Sequence, residues 1–260
     1  MMVILAVTNL KGGVGKTTTA TNLGCAIGET GARVLVVDLD GSAFALTRAF
    51  GLAPSQAPAS TFEVMTGQTP LAHAVRELVA PGVDLLAARR ELASLELQLV
   101  SEMGRETVLA QALAGRLDAY DVVLLDCPPT LSLLTVNAIF AAQQLLVPVS
   151  LADAGAVQGA AELRGAAQRA RSAGASVEIL AAVRCKVDER RLASRAIDSA
   201  LGELGMPVAQ TTIPNAAAFD TSIALGAPLL LSQPDHRGAW AHRRLANELG
   251  LTRTTLAAVA

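Results

Sequence analysis

Apolar residues in this chain gather into short runs set apart by longer mixed segments. Runs rich in Val, Ile and Leu span residues 3–8, 33–38, 83–87, 122–126, 144–149, 177–183 and 208–213. Most are continuous rather than alternating, the pattern of strands covered on both faces. Between them lie Ala- and Leu-rich segments of helical length at 17–30, 105–117, 132–142, 157–173, 192–204 and 238–249. Strand–helix alternation of this kind predicts an α/β fold: one twisted, mostly parallel sheet with helices on both faces. Residues 41–69, rich in Ala, Pro, Ser and Gln, read as a loop with short helices over one sheet edge. No repeat, charge block or composition break divides the chain, so residues 1–260 are expected to form a single domain.

Composition sharpens this picture in a few places. The chain is 52% hydrophobic but only 3% aromatic, which suits close packing of small aliphatic side chains. With 21 Lys and Arg against 23 Asp and Glu, a coat of positive charge is excluded, although a local basic patch is not. Cys25, Cys127 and Cys185 are scattered, odd in number and without CxxC spacing, which argues against a disulfide framework or a zinc module. The apolar N-terminus has no positive leading region, so it is not a signal peptide. The long uncharged stretch 127–152 is broken by Pro128, Pro129, Asn137 and Pro148, and reads as buried strands and a helix rather than a membrane span. A cytoplasmic protein is expected.

The strongest chemical signal follows the first strand: Lys11-Gly12-Gly13-Val14-Gly15-Lys16-Thr17-Thr18. The strict phosphate-loop pattern asks for Gly where Leu10 stands, yet the chemistry survives. Gly12, Gly13 and Gly15 let backbone N–H groups turn toward phosphate oxygens, and a helix opening near Thr17 points its positive end at the same anion. Lys16 would meet the β- and γ-phosphates, the Thr17 hydroxyl would ligate Mg²⁺, and Thr18 adds a donor near the α-phosphate. The alternative, a plain glycine turn, would need six specified residues to fall in place with odds on the order of 10⁻⁵.

Two strands end in carboxylates. Val34 to Asp40 closes on Asp38 and Asp40, at the edge where parallel sheets face their ligands. Asp40 is suited to orient a water against a γ-phosphate or to bind Mg²⁺ through water, and Asp38 either faces the crevice or caps the loop. In Tyr120 to Pro129, four apolar residues ending in Asp126 form a Walker B strand, with Asp126 holding the water shell of Mg²⁺. Asp121 caps the strand start, and Cys127 reads as a packing residue. His73, His236 and His242 have no metal spacing and read as surface residues, while Trp240 reads as a helix-packing anchor.

With Lys11 ahead of the glycines, the sequence resembles the deviant Walker A ATPases, the group that includes the ParA/Soj partition proteins, MinD, the nitrogenase iron protein and the arsenite pump ATPase. The resemblance implies a P-loop NTPase fold and a role for Lys11 as the signature lysine, reaching across a dimer interface to the partner's nucleotide. Asp126-Cys127-Pro128-Pro129-Thr130 to Ala138, Ile213-Pro214, Gly226-Ala227-Pro228 and Ala246-Asn247-Glu248-Leu249 resemble ParA/Soj members in particular. The first strand begins at Val3, which matches the short form of that family. By the same analogy Pro214 and residues 186–188 lie near the adenine. Two departures stand out: Gly41-Ser42-Ala43-Phe44 replaces the usual Pro-Gln-Gly-Asn, and Asn215 to Ala218 replaces a segment with two arginines.

The resemblance implies an ATP- and Mg²⁺-dependent partition ATPase. Two copies would sandwich two ATP molecules, bind DNA without sequence preference at the nucleoid, and hydrolyse ATP on stimulation by a ParB-like centromere-binding partner, segregating a plasmid or chromosome. Lys11 and Asp40 are then the catalytic candidates. The DNA contacts fall to a basic patch of Arg184, Lys186, Arg190, Arg191 and Arg195, or to Arg237, Arg243 and Arg244; the alternative is a solvated helix face. Two other readings share the fold: a positioning ATPase for a non-DNA cargo, and a small-molecule ATP-dependent ligase. Residues 251–260 lack the basic amphipathic pattern of a membrane-binding helix.

Overall fold

The computed structural model describes residues 2–57, 59–188 and 192–259. Its strands β1 (Val3–Val7), β2 (Val34–Asp38), β3 (Arg76–Ala80), β4 (Val83–Leu86), β5 (Val122–Asp126), β6 (Gln144–Ser150) and β7 (Glu178–Cys185) form one sheet in the order β3-β4-β2-β5-β1-β6-β7. Every pairing is parallel except the β3/β4 hairpin. The helices are α1 (Lys16–Gly28), α2 (Ala45–Ala49), α3 (Thr61–Met65), α4 (Leu71–Ala74), α5 (Glu91–Leu99), α6 (Val108–Leu113) and α7 (Leu133–Ala141). They continue with α8 (Gly155–Ser172), α9 (Leu192–Glu203), α10 (Ala217–Ala224), α11 (Leu229–Ser232), α12 (Arg237–Glu248) and α13 (Arg253–Val259).

The continuous apolar runs are continuous because both sheet faces are covered. Along β1, β2 and β5, Ile4, Ala6, Leu35, Val37, Val123 and Leu125 enter one core with α3 to α8. Leu5, Val7, Val34, Val36, Val122 and Leu124 enter the other, with α1, α2 and α10 to α12. The expected α/β architecture is therefore present. Residues 41–69 do carry short helices, α2, α3 and a 3₁₀ turn at Pro54–Gln56. No helix among the described residues is long and apolar enough to cross a membrane.

Two strands differ from the sequence expectation. Residues 208–213 form no strand: Val208 makes a single bridge with Ala182. The carboxylate of Glu248 accepts from Gln210 N at 2.6 Å and Thr211 N at 2.8 Å, holding that backbone away from β7. The remaining strand is instead β3, an edge strand whose Arg76, Glu77 and Leu78 are exposed, so hydrophobic periodicity carries no trace of it.

The register positions the site. β5 lies between β1 and β2, and Asp126 pairs with Val7 on one side and Asp38 on the other. The ends of the three central strands thus bring the phosphate-loop entrance and two carboxylates to one edge of the sheet.

Candidate functional site

The loop from β1 to α1 turns at Gly13 and Gly15, with φ of 73° and 103°, values that side-chain-bearing residues rarely adopt. Gly15 occupies the N-cap of α1, no side chain among the described residues caps that terminus, and no acidic residue stands in its first turn. Its N–H groups and positive dipole end are therefore open toward a cavity of about 380 Å³. Gly12, Gly13, Gly15, Lys16, Thr17 and Thr18 line that cavity together with Asp40, Cys127 and Pro129. A second group comes from the end of β7 and the approach to α10: Lys186, Pro214, Asn215, Phe219 and Asp220. Val14 does not line it; its side chain is buried in the core and anchors the loop.

Lys16 is buried, and its Nζ donates to Lys11 O at 3.0 Å across the loop. Burial lowers its pKa, against the opposing pull of Asp126 and Asp40. The three acidic residues have separate surroundings. Asp38 is fully buried and accepts from Thr47 Oγ1 at 2.7 Å, Thr47 N at 2.9 Å and Asp40 N at 3.0 Å. Burial pushes its pKa up to about 6. It is the loop cap of the two alternatives. Asp40 Oδ1 accepts from Ser42 N, Ser42 Oγ and Ala43 N at 3.0, 2.6 and 3.0 Å, so the departure at 41–44 folds into a turn closed on this carboxylate.

Asp126 Oδ2 accepts from Thr17 Oγ1 at 2.7 Å, while its buried Oδ1 has no hydrogen-bond partner among the described residues. Burial and the neighbouring Asp38 raise its pKa well above the usual carboxylate range. A buried, unsatisfied carboxylate oxygen costs stability unless a cation or its water supplies a donor. Among the described residues no cluster of three His, Cys, Asp or Glu side chains offers a closed metal site. One hydroxyl, one carboxylate and open space for waters and phosphate oxygens is the donor set that suits Mg²⁺, which keeps much of its hydration. Cys127 and Cys185 also line the cavity, and burial pushes both thiols up to about 12, so neither is a thiolate.

Lys11 stands outside the cavity lining. Its Nζ lies 3.6 Å from Asp153 Oδ2, with both side chains about half exposed. Asn9, which the sequence reading passed over, positions it. Asn9 Oδ1 accepts from Lys11 N at 3.1 Å, and Nδ2 donates to Pro148 O at 2.8 Å and Ala156 O at 3.1 Å. A Cβ at Gly159 would run into Asn9 Oδ1, so α8 approaches this loop only because that position is glycine. The signal was there in principle: a polar residue just after a buried strand, two places before Lys11.

Only part of the expected basic patch falls on described residues. Arg190 and Arg191 lie outside the described residues. Arg195 is exposed on α9. Arg184 is engaged by Asp198 at 2.6 Å and Ala209 O at 3.0 Å. Arg243 holds Glu29 through Nε and Nη2 at 2.7 and 2.9 Å, and its guanidinium lies 5.0 Å from the Trp240 ring centroid. Trp240, expected as a helix-packing anchor, is 52% exposed and stacks against Arg243 instead. His242 is also corrected: it is fully buried, not on the surface, because α12 turns that face onto Phe219. Asp121 caps as read, its Oδ2 accepting from Arg33 N at 2.7 Å.

A protein-family profile described as an AAA domain matches residues 2–177. The chromosome partitioning protein ParA of Caulobacter vibrioides is 34% identical over 250 residues, 95% of this chain and 93% of its own length. The sporulation initiation inhibitor protein Soj of Bacillus subtilis is 30% identical over 248 residues, 95% of this chain and 97% of its own. A crystal structure of cobyrinic acid a,c-diamide synthase from Mycobacterium smegmatis with bound ADP and magnesium is similar with a TM-score of 0.83 at 32% identity, over 95% of this chain and 93% of that one.

Proposed function

The chain belongs to the ParA/Soj family of partition ATPases, and we propose that it is an ATP-driven switch that binds ATP and Mg²⁺ in the cavity at the start of α1. The observation that carries this is the Thr17–Asp126 hydrogen bond beside an unpartnered Asp126 oxygen, facing an uncapped helix N-terminus. Lys16 exchanges the Lys11 carbonyl for phosphate oxygens, at little cost because its ammonium is already desolvated. Thr17 and Asp126 hold the hydrated cation. Mg²⁺, when bound, neutralises charge on the β- and γ-phosphates. Pro214 borders the adenine, and Asp40, fixed by its turn, orients the attacking water.

Lys11 acts in a homodimer. Its exposed ammonium leaves Asp153 and reaches the nucleotide of the second copy, so the γ-phosphate supplies contacts present in one state only. The sandwich dimer binds DNA without sequence preference, and a ParB-like partner stimulates hydrolysis and release.

A positioning role for a non-DNA cargo is the second reading. It is favoured by one observation: Arg184 and Arg243 are neutralised within the chain, and Arg237 is tied to Asn215 O. Retention on non-specific duplex DNA with ATP but not ADP is the expected result. No retention in either state assigns the cargo reading, and turnover driven by small carboxylic acids without DNA assigns a ligase.

A further inference from the structure

One wall of the cavity is braced from behind by the first turn of α12. Phe219, in α10, lines the cavity and is only 7% exposed. Its ring stands edge-on to two imidazoles, His236 at the N-cap of α12 and His242 within that helix. Centroid distances are 6.5 and 5.6 Å, and interplanar angles 79° and 76°. Both imidazoles are fixed on the residue between them: His236 Nδ1 accepts from Gly238 N at 3.0 Å, and His242 Nδ1 donates to Gly238 O at 2.8 Å.

Gly238 is where the ring meets the helix. A Cβ there would lie 2.5 Å from Phe219 Cζ and 3.0 Å from Leu229 Cδ2, so only glycine lets the ring edge rest on the backbone. Arg237, one residue earlier, donates from Nη2 to Asn215 O at 2.9 Å, gripping a second lining residue. The same helix packs along α1, whose first turn carries the phosphate loop. Helix α12 therefore spans from the phosphate-binding helix to the opposite group of lining residues and sets the gap between them.

The phosphate-facing groups are held independently, Lys16 by Lys11 O and Thr17 by Asp126, with no contact to α12 among those bonds. The braced wall has the other chemistry. Ile213, Pro214, Ala216 and Phe219 offer an apolar surface suited to a flat aromatic base. We infer that Gly238 and Arg237 are positioning residues for the nucleoside half of the ligand, placing the α10 wall against base and ribose without acting on the phosphates. This rests on the nucleotide reading of the cavity.

The test is a calorimetric titration of wild type and variants with two probes, Mg·ATP and inorganic tripolyphosphate, which has neither base nor ribose. Gly238→Ala drives Phe219 into the cavity, and is expected to weaken ATP by about tenfold or more while tripolyphosphate stays within about twofold. Adding Phe219→Leu, whose shorter side chain clears the new methyl, restores ATP binding to that of Phe219→Leu alone. Arg237→Ala, at an exposed residue that leaves the core intact, is expected to weaken ATP by about threefold with tripolyphosphate unchanged. It decides the matter if Gly238→Ala does not fold. Equal losses for both probes, or ATP binding unchanged in the variants that fold, would overturn the inference. A wild-type protein that binds neither probe would instead overturn the nucleotide reading beneath it.

Discussion

Lys16 Nζ donates to the backbone oxygen of Lys11 at 3.0 Å, so the two lysines of the loop are tied together while their side chains serve different places. Lys16 is buried at the cavity; Lys11 is half exposed and paired with Asp153. Lys16→Ala should cost about 1.5–3 kcal/mol of nucleotide affinity, the worth of a charge-assisted contact. Calorimetry that finds affinity within about threefold of wild type would remove Lys16 from the site.

Lys11→Ala should leave nucleotide binding by the monomer intact and abolish ATP-dependent dimerisation, as read by sedimentation. The ion pair it forms with Asp153 is half exposed and worth about 0–1 kcal/mol. Asp153→Asn should therefore leave affinity unchanged and shift the dimer equilibrium with ATP toward dimer by no more than about fivefold per protomer, about thirtyfold for the two pairs of a dimer. An ATP-dependent dimer with normal turnover in Lys11→Ala would end the signature-lysine assignment.

The carboxylates should separate cleanly. Asp126→Asn keeps the hydrogen bond from Thr17 but removes the charge, and should raise the Mg²⁺ concentration needed for nucleotide binding. An unchanged Mg²⁺ titration argues against its role. Asp40→Ala should bind ATP and dimerise yet hydrolyse slowly in single turnover, trapping the ATP-bound state. A wild-type rate would move the water-orienting role elsewhere.

Burial lowers the His242 pKa from 6.5 to about 4. The unfolded chain therefore takes up this proton first as the pH falls, and stability is lost below pH 6.5, by up to about 3 kcal/mol near pH 4. Its Nδ1–H donates to Gly238 O, leaving Nε2 buried without a hydrogen-bond partner among the described residues, so the ring has no use for a second proton. His242→Phe should lose about 1 kcal/mol at pH 7 with that hydrogen bond. It should then gain on wild type by roughly 2 kcal/mol on going to pH 5, read as a difference in melting temperature. Asp38, with its pKa raised to about 6, acts in the opposite sense but equally in both proteins, and cancels. A constant difference between pH 7 and 5 would contradict the buried neutral imidazole.

DNA binding should require ATP and fall steeply with salt, since the net charge of −2 leaves only a local patch to act. Dimerisation doubles that patch on one rigid body. Replacing Arg190 and Arg191 by Ala should cut the log–log salt slope by up to about 4 per dimer, at roughly 0.9 per phosphate contact, with basal turnover intact. Wild-type binding at every salt concentration would leave Arg195 and Arg244 as the candidates.

What the sequence by itself determined is what depends on neighbours along the chain. Gly13, Gly15, Lys16 and Thr17 are contiguous, and a buried strand running into a glycine turn and a helix has one local solution. Strands β1, β2 and β5 were legible because burial on both faces makes them apolar throughout. The tertiary structure alone decided the contacts between distant segments. Asp126 meets Thr17 across 109 positions, and Arg243 meets Glu29 across 214, which removes it from the expected DNA surface. Edge strand β3 has solvent in place of a partner, so no apolar pattern marks it, and Glu248 diverts residues 210–211 from pairing with β7. His242 is polar by composition and buried by packing. Its place depends on Phe219 and Gly238, one from α10 and one from α12, and the physical reason is that a side chain's solvent is other side chains, which the chain chooses only on folding.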